Sequence, residues 1–457
     1  MTAAGGATTH FWARQALLDG GWAGSVRLGV AGGRIVSLEP GQPAGPGDER
    51  LGILVPGLGN LHSHAFQRGM AGLTEIGGSN GDSFWSWREL MYRFLDQLDP
   101  DSFQAIAEQA YVEMLESGFT RVGEFHYLHH DTDGAPFAAR AEMAGRIAAA
   151  AQRSGIGLTL LPVFYAHADF GGAPPSPAQR RLVHDIDGFA TLLDGCRQAL
   201  QPLDDAVLGV APHSLRAVTG EELAALLPLV DGPVHIHIAE QTREVDGCLA
   251  WSGRRPVQWL LENAPVDARW CLVHATHVDA AEVRGIVDSG AVVGLCPITE
   301  ANLGDGVFPM QAFARAGGRF GVGSDSNVLV DAAEELRLLE YGQRLQLRAR
   351  NVLAPDPSQS SGRWLFEQAG RGGAQALGVE TGLRVGGPAD LVELDDAHPA
   401  LLSREGDALL DGWLFAARGG AVRSVWRHGR KLVSDGRHLQ REAVAARYAV
   451  ALHKVLG

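Results

Sequence analysis

Eight short apolar runs, each followed by a polar loop and most by a stretch of helical periodicity, constrain this chain more than any other feature. They read "GILVPGLGNLHSH", "FTRVGEFHY", "GLTLLPVFYAH", "AVLGVAPHS", "PVHIHIAE", "WCLVHATHV", "AVVGLCPIT" and "RFGVGSDSN". Runs that are apolar throughout, rather than alternating, suit strands covered on both faces, the condition of a parallel sheet. Eight of them alternating with helices predict an α/β fold, a (β/α)8 TIM barrel. The segment "DPDSFQAIAEQAYVEMLESG" illustrates a connecting helix. Asp101 or Ser102 is placed to cap its first amides, Phe103, Ile106, Ala110 and Met114 recur at helical spacing, and Gly118 ends it.

The two ends of the chain read differently. "HFWARQALLDGGWAGSVRLGVAGGRIVSLEPG" and, past Gly382, "GLRVGGPADLVELD" and "SVWRHGRKLVSDGRHL" are short strands between glycine turns. They predict one small β-sandwich domain built from residues 1–54 and 383–440, beside a barrel of residues 55–382, with a helix over 441–457.

Composition narrows the function. A length of 457 residues at 46% apolar content can bury a large core. The formal charge of -14 offers no basic field for nucleic acid or an anionic membrane. No apolar run is long enough to span a bilayer, and the start lacks the charged and apolar regions of a signal peptide. Cys196, Cys248, Cys271 and Cys296 contain no C-x-x-C pair, which argues against a disulfide framework and predicts a reducing, cytoplasmic setting.

Polar residues collect where the apolar runs end. His62 and His64 close the first run, His235, His237 and Glu240 the fifth, His274 and His277 the sixth, and Asp325 the eighth. Residues two apart on a strand share a face, so His62 and His64 can converge on one ion. Barrel sites form at strand C-termini, which would place all these groups in one cavity. Two histidines of the first strand, one of the fifth and Asp325 make an N3O set suited to a single divalent ion, zinc foremost; His235 and His237 are not separable at this level. The only lysines, Lys431 and Lys454, lie beyond the barrel, so no barrel lysine can bridge a second metal. Glu240 is the natural general acid/base, with Asp325 and a histidine of the sixth strand beside it.

In combination, "NLHSHAFQR", "HIAE", "LVHATH", "CPITEANLGDG", "GSDSN" and the tail "GGPADLVELD" resemble the amidohydrolase superfamily, in its mononuclear aminohydrolase branch. The resemblance implies His62, His64, His237 and Asp325 as metal ligands, and Glu240 with His274 as the proton-transfer pair, Asp325 assisting. "SFWSWRELMYRF", "GEFHYLHH" and "APHSLRAV" are similar to members that hydrolyse N-formimino-L-glutamate to N-formyl-L-glutamate and ammonia in histidine degradation. That dicarboxylate calls for planar bidentate donors, and the resemblance turns Arg88 and Arg216, expected on loops after the first and fourth strands, into carboxylate clamps. Gln67, Tyr127 and His213 are implied as further substrate contacts, whereas His129 and His130 read as loop histidines and Trp85 and Trp87 as pocket walls or packing. The branch also implies a homodimer. The rival expectations are an aminohydrolase acting on a cyclic amidine such as guanine or an adenosine-type base, and a barrel that binds without catalysis.

Overall fold

The computed structural model describes residues 8–75, 84–354, 356 and 358–457. Residues 1–7 of the expected small domain and Ser83 of the tryptophan-rich motif fall outside them.

Four strands open the chain: β1 (Thr9–Leu18), β2 (Gly21–Ala31), β3 (Arg34–Glu39) and β4 (Glu49–Pro56). The hairpin between β2 and β3 pairs Ala31 with Arg34 across Gly32 and Gly33, whose φ values of 56° and 76° are those that a primed two-residue turn needs and that glycine adopts without a Cβ penalty. Eight parallel elements follow: β5 (Leu58–Ser63), β6 (Phe119–His126), β7 (Gly157–Phe164), the broken pair β8 (Val207–Leu208) and β9 (Ala211–Pro212), β10 (Val234–Ile238), β11 (Trp270–His274), β12 (Val292–Leu295) and β13 (Arg319–Val322). The chain closes with β14 (Leu391–Leu394), β15 (Val422–Arg427), β16 (Arg430–Ser434) and β17 (Arg437–His438).

The first four and last four strands hydrogen-bond into one sheet of order β17-β16-β15-β14-β4-β1-β2-β3. This sheet folds over itself: Ile35 of β3 exchanges backbone hydrogen bonds with Gly386 and Gly387, just before β14. The two layers so formed enclose a core of their own, in which Phe11 and Trp426 meet edge to face at 5.6 Å.

Parallel pairing runs β5-β6-β7-β8 and β10-β11-β12-β13. Two bridges join these arcs into a closed barrel, Val210 to Val234 on one side and Ser63 to Asp325 on the other. Helices over Pro100–Ser117, Glu142–Ser154, Ile186–Leu200, Ala280–Ser289, Ala332–Leu347 and Ser361–Leu377 lie between or after the barrel strands and share the larger core with them. No described helix is long and apolar enough to cross a membrane.

Several expectations change in detail. The run "GILVPGLGNLHSH" is two strands rather than one, because Pro56 ends β4 and Gly57 redirects the chain so closely past Thr120 that a Cβ would meet its side chain at 2.3 Å. The cap of the helix Pro100–Ser117 is Asp99, which accepts from the amides of Asp101 and Ser102, with proline at the first helical position where its missing N–H costs nothing. Gly118 ends that helix at φ 103°. Helix Asp407–Ala416, inside the stretch assigned to the small domain, packs on the helices Ser361–Leu377 and Ala332–Leu347 of the barrel. The terminal helix Arg441–Leu456 lies against Pro100–Ser117.

Candidate active site

The bridge that closes the barrel also assembles its mouth. Asp325 donates its amide to the His62 carbonyl and accepts the His64 amide, both at 2.9 Å, so the end of β5 is fastened beside the loop after β13. Asn327 reinforces the junction, its side-chain amide donating to Ser63 Oγ at 3.2 Å and to the carbonyls of His64 and Asp325 at 3.0 Å each. Ala239, His274 and Asp325 sit at φ 51°, 68° and 46°, the left-handed region, at three strand ends around one cavity. Non-glycine residues hold such backbone only where surrounding contacts impose it, a frequent property of functional sites.

Within this frame His62, His64, His237 and Asp325 bring three ring nitrogens and one carboxylate oxygen within 4.8 Å of one another, all buried. His64 Nδ1 donates to the Phe125 carbonyl at 2.9 Å and His237 Nδ1 to the His213 carbonyl at 3.2 Å. With those protons committed, each Nε2 presents a lone pair inward. His237 Nε2 lies 3.0 Å from His62 Nε2, and Asp325 Oδ1 lies 3.3 Å and 3.2 Å from the Nε2 atoms of His62 and His64. Burial lowers the His62 imidazole to about 3 and takes His237 well below its ordinary value, so both rings are neutral at pH 7. Converging neutral imidazoles and one carboxylate, with backbone acceptors behind them, fit a divalent cation and leave their lone pairs opposed without one.

Beside the cage, His274 Nε2 is 3.7 Å from Glu240 Oε1 and 3.8 Å from Asp325 Oδ2, while its Nδ1 meets Glu300 Oε1 at 3.2 Å. Burial opposes a charged His274, yet Glu240, Glu300 and Asp325 together hold it well above the ordinary value. Burial raises Glu240 to about 7, with Asp325 and Glu244 adding to the rise and His274 and Arg216 opposing it. A carboxyl poised near neutrality beside a cationic imidazole can hold and release a proton at working pH.

The cavity above is lined by Gln67, Arg88, Tyr127, His213 and Arg216 together with His64, His237, Glu240, His274 and Asp325. Gln67 donates to the Tyr127 hydroxyl at 2.8 Å, and its own carbonyl oxygen is buried without a partner among the described residues. Arg88 lies on the helix Phe84–Leu95 rather than on a loop, and Arg216 lies in the turn after β9. Their guanidinium carbons stand 5.0 Å and 5.7 Å from the Trp85 ring, and Arg243 joins them at 4.4 Å. Arg216 Nε is buried without a hydrogen-bond partner among the described residues.

The remaining candidates lie elsewhere. His235 donates to the Ala376 carbonyl at 2.7 Å, away from the cage. His277 contributes its carbonyl to Arg255. His129 and His130, expected in a loop, are buried and donate to the carbonyls of Val163 and Val183. Two carboxyl groups not singled out from sequence, Glu300 and Asp305, stand behind His274 and Glu240; both lie in the quoted "CPITEANLGDG", where only their place in that motif could have drawn attention to them.

Comparison with known proteins places this arrangement. The amidohydrolase family model matches residues 53–432, and that of the formimidoylglutamate deiminase HutF N-terminal domain matches residues 8–52. Formimidoylglutamate deiminase of Pseudomonas aeruginosa is 53% identical over 97% of this chain and 99% of its own length. Among solved structures, an amidohydrolase from Brucella melitensis is 56% identical, covering 98% of this chain and all of its own at a TM-score of 0.96. An adenosine deaminase from Xanthomonas campestris with bound zinc shares the fold at a TM-score of 0.79 and 22% identity, each chain covered to 98%. Matched over most of its length by the family model and end to end by these relatives, the chain belongs to the amidohydrolase family.

Proposed function

We propose that this protein hydrolyses N-formimino-L-glutamate to N-formyl-L-glutamate and ammonia. The observation that carries the reading is the pair Arg88 and Arg216, two guanidiniums that form no ion pair among the described residues and line the same cavity as Glu240, His274 and Asp325. Together they suit a dicarboxylate, whose charges need planar donors, and a neutral heterocycle gives them nothing to bind. Similarity to the Pseudomonas aeruginosa formimidoylglutamate deiminase supports the same substrate.

His62, His64, His237 and Asp325 would hold one divalent ion, for which zinc is proposed. Bound there, it would lower the pKa of a water to about 7 and so supply a nucleophile at neutral pH. The chain's own groups do the rest. Arg88 and Arg216 clamp the carboxylates, and Gln67, Tyr127 and His213 orient the glutamate portion so that the formimino carbon faces the cage. Asp325 Oδ2 takes up the proton that the attacking water loses, and the cationic His274, its Nε2 3.8 Å from that oxygen, faces the charge developing at the tetrahedral carbon. The formimino group enters as the protonated amidine, and Glu240 delivers the proton on its carboxyl to the nitrogen, which so leaves as ammonia. The carboxylate takes back the proton of the tetrahedral hydroxyl as the formyl carbonyl forms.

Ammonia release from N-formimino-L-glutamate, compared with release from guanine and repeated with a chelator, tests the reading. Chelator-sensitive release from the first alone is expected. Release from guanine alone moves the assignment to cyclic amidines, and no release from either, with no bound ion, leaves a binding barrel. A cytoplasmic setting and a homodimeric state belong to the same proposal; four buried, unpaired cysteines support the first, and sedimentation of the purified protein tests the second.

A further inference from the structure

Glu240 has a carboxyl neighbour, Asp305, that takes no part in the proton transfers of the proposed reaction. Asp305 follows the helix Pro297–Leu303, held there by its amide donating to the Glu300 carbonyl at 2.9 Å and by Gly304 and Gly306 at φ 69° and 126°. It is only 4% exposed and does not line the substrate cavity. One oxygen of Asp305, one of Glu240 and a ring nitrogen of His274 lie within 4.8 Å of one another. Asp305 Oδ1 accepts from the side-chain amide of Gln241, the residue next to Glu240. Asp305 Oδ2 is buried and has no partner among the described residues.

Once Glu240 has released its proton, two carboxylates this close are costly to keep ionised even beside the cationic His274, and a buried oxyanion without a donor is costly in its own right. A single proton on Oδ2 removes both penalties, since it neutralises Asp305 and turns the unpartnered atom into a donor on a carboxyl that has an oxygen within 4.8 Å of one of Glu240. Gln241 fixes which oxygen stays an acceptor.

We propose that Asp305 is a standing neutral hydrogen-bond donor that positions Glu240 and supports its carboxylate once the proton has gone to the leaving nitrogen. The proton balance is simple. Glu240 gives its proton to the nitrogen and takes back the one that the tetrahedral hydroxyl loses as the formyl carbonyl forms, while the Asp305 proton stays on Oδ2 throughout. Asp305 is thus a positioning residue that acts through Glu240. Burial, with Glu240 next to it, raises its carboxyl to about 9, in keeping with a group that stays protonated at neutral pH.

The inference rests on the proposed deiminase reading, and the neutral isostere tests it. In Asp305→Asn the amide can accept from Gln241 through its oxygen and donate to Glu240 through its nitrogen, so the metal-loaded variant keeps kcat within about threefold and keeps the wild-type pH profile. Asp305→Ala keeps its metal and its KM but loses kcat by about 10- to 100-fold, the size expected for a hydrogen bond to a charged group. Its Glu240-dependent limb moves to higher pH, since a carboxylate without its donor holds the proton more tightly. An Asp305→Asn variant that folds, binds metal and is as impaired as Asp305→Ala overturns the proposal, because the negative charge is then what matters. An unshifted pH profile in Asp305→Ala overturns it too, as does a second equivalent of zinc per chain, which needs an ionised Asp305. One readout does not depend on the substrate: at neutral pH the wild type has an infrared carbonyl stretch of a protonated carboxyl that is lost in Asp305→Asn and kept in Glu240→Gln. Its absence from the wild type sinks the proposal, whereas its presence beside an enzyme inactive on N-formimino-L-glutamate removes only the substrate assignment.

Discussion

The amide of Asp325 donates to the carbonyl of His62 at 2.9 Å, tying the loop after the last barrel strand to the end of the first. Two candidate ligands from opposite ends of the barrel sequence are therefore positioned by main-chain bonding before any ion enters. Such a cage costs little to organise on binding, and its geometry rests on closure of the barrel rather than on the side chains alone.

Metal removal follows from that cage. Dialysis against a chelator should abolish ammonia release and lower the melting temperature, and zinc should restore both. An ion that binds only the folded state, at a hundred times its Kd, contributes about 2.7 kcal/mol of stability. Full activity in protein shown by elemental analysis to be metal-free would exclude the proposed chemistry.

Glu240→Gln should bind metal normally and lose about 10²- to 10⁴-fold in kcat, the usual span for a positioned acid or base. The side chain keeps its size and loses only the titrating proton that burial brings to about 7 in the wild type. Steady-state rates with zinc content measured on the same sample decide it, and near-normal turnover removes Glu240 from the scheme.

Which parts of this site were legible in sequence follows from physics. Strand-end polar residues stand out against apolar runs, so His62, His64, Glu240, His274 and Asp325 could be picked out. Alternation puts His235 and His237 on one face and cannot rank their depth; that is settled by the distant Ala376 carbonyl, which captures His235. Arg88, expected on a loop, lies on a helix because Phe84, Met91, Phe94 and Leu95 of that segment are buried in the fold, a tertiary packing that decides a helix of this length. Glu300 and Asp305 meet His274 and Glu240 only once the segment after β12 turns back over the barrel mouth, a long-range event that no local pattern announces.

Arg88→Ala and Arg216→Ala should each lower kcat/KM for N-formimino-L-glutamate by about 10- to 100-fold while metal content stays normal, as expected for losing a charge-assisted bidentate contact. Lysine at either position should recover little, since a point charge on a flexible stem does not reproduce the planar fork. Rescue by Arg88→Lys to wild-type efficiency would show that charge alone recruits the substrate.

Glu300→Gln tests the support of His274. Glu300 Oε1 lies 3.2 Å from His274 Nδ1 and also accepts the Cys296 amide at 2.9 Å, which fixes the carboxylate in place. Removing its charge should cost about 10- to 100-fold in kcat, in the range seen for partners that orient a site histidine. KM should stay close to normal, because Glu300 does not line the cavity. A rise in KM at constant kcat would instead mean that Glu300 shapes substrate binding.

Acid should destabilise the fold through three buried histidines. His126, His129 and His184 pack ring against ring behind the cavity, at 5.1 Å and 5.0 Å between successive centroids. Burial lowers His126 and His184 to about 3 and takes His129 well below its ordinary value. Their folded values lie beneath the unfolded value near 6.5, so below that pH the unfolded chain binds more protons and stability falls as pH falls. The window runs from about 6.5 down to about 3 for His126 and His184, and each such residue steepens the loss by up to about 1.4 kcal/mol per pH unit. Replacing His184 with Gln removes one titrating ring and should flatten the decline of the urea midpoint between pH 6 and 4 relative to the wild type. Parallel curves for the two proteins would mean that His184 does not remain neutral in the fold.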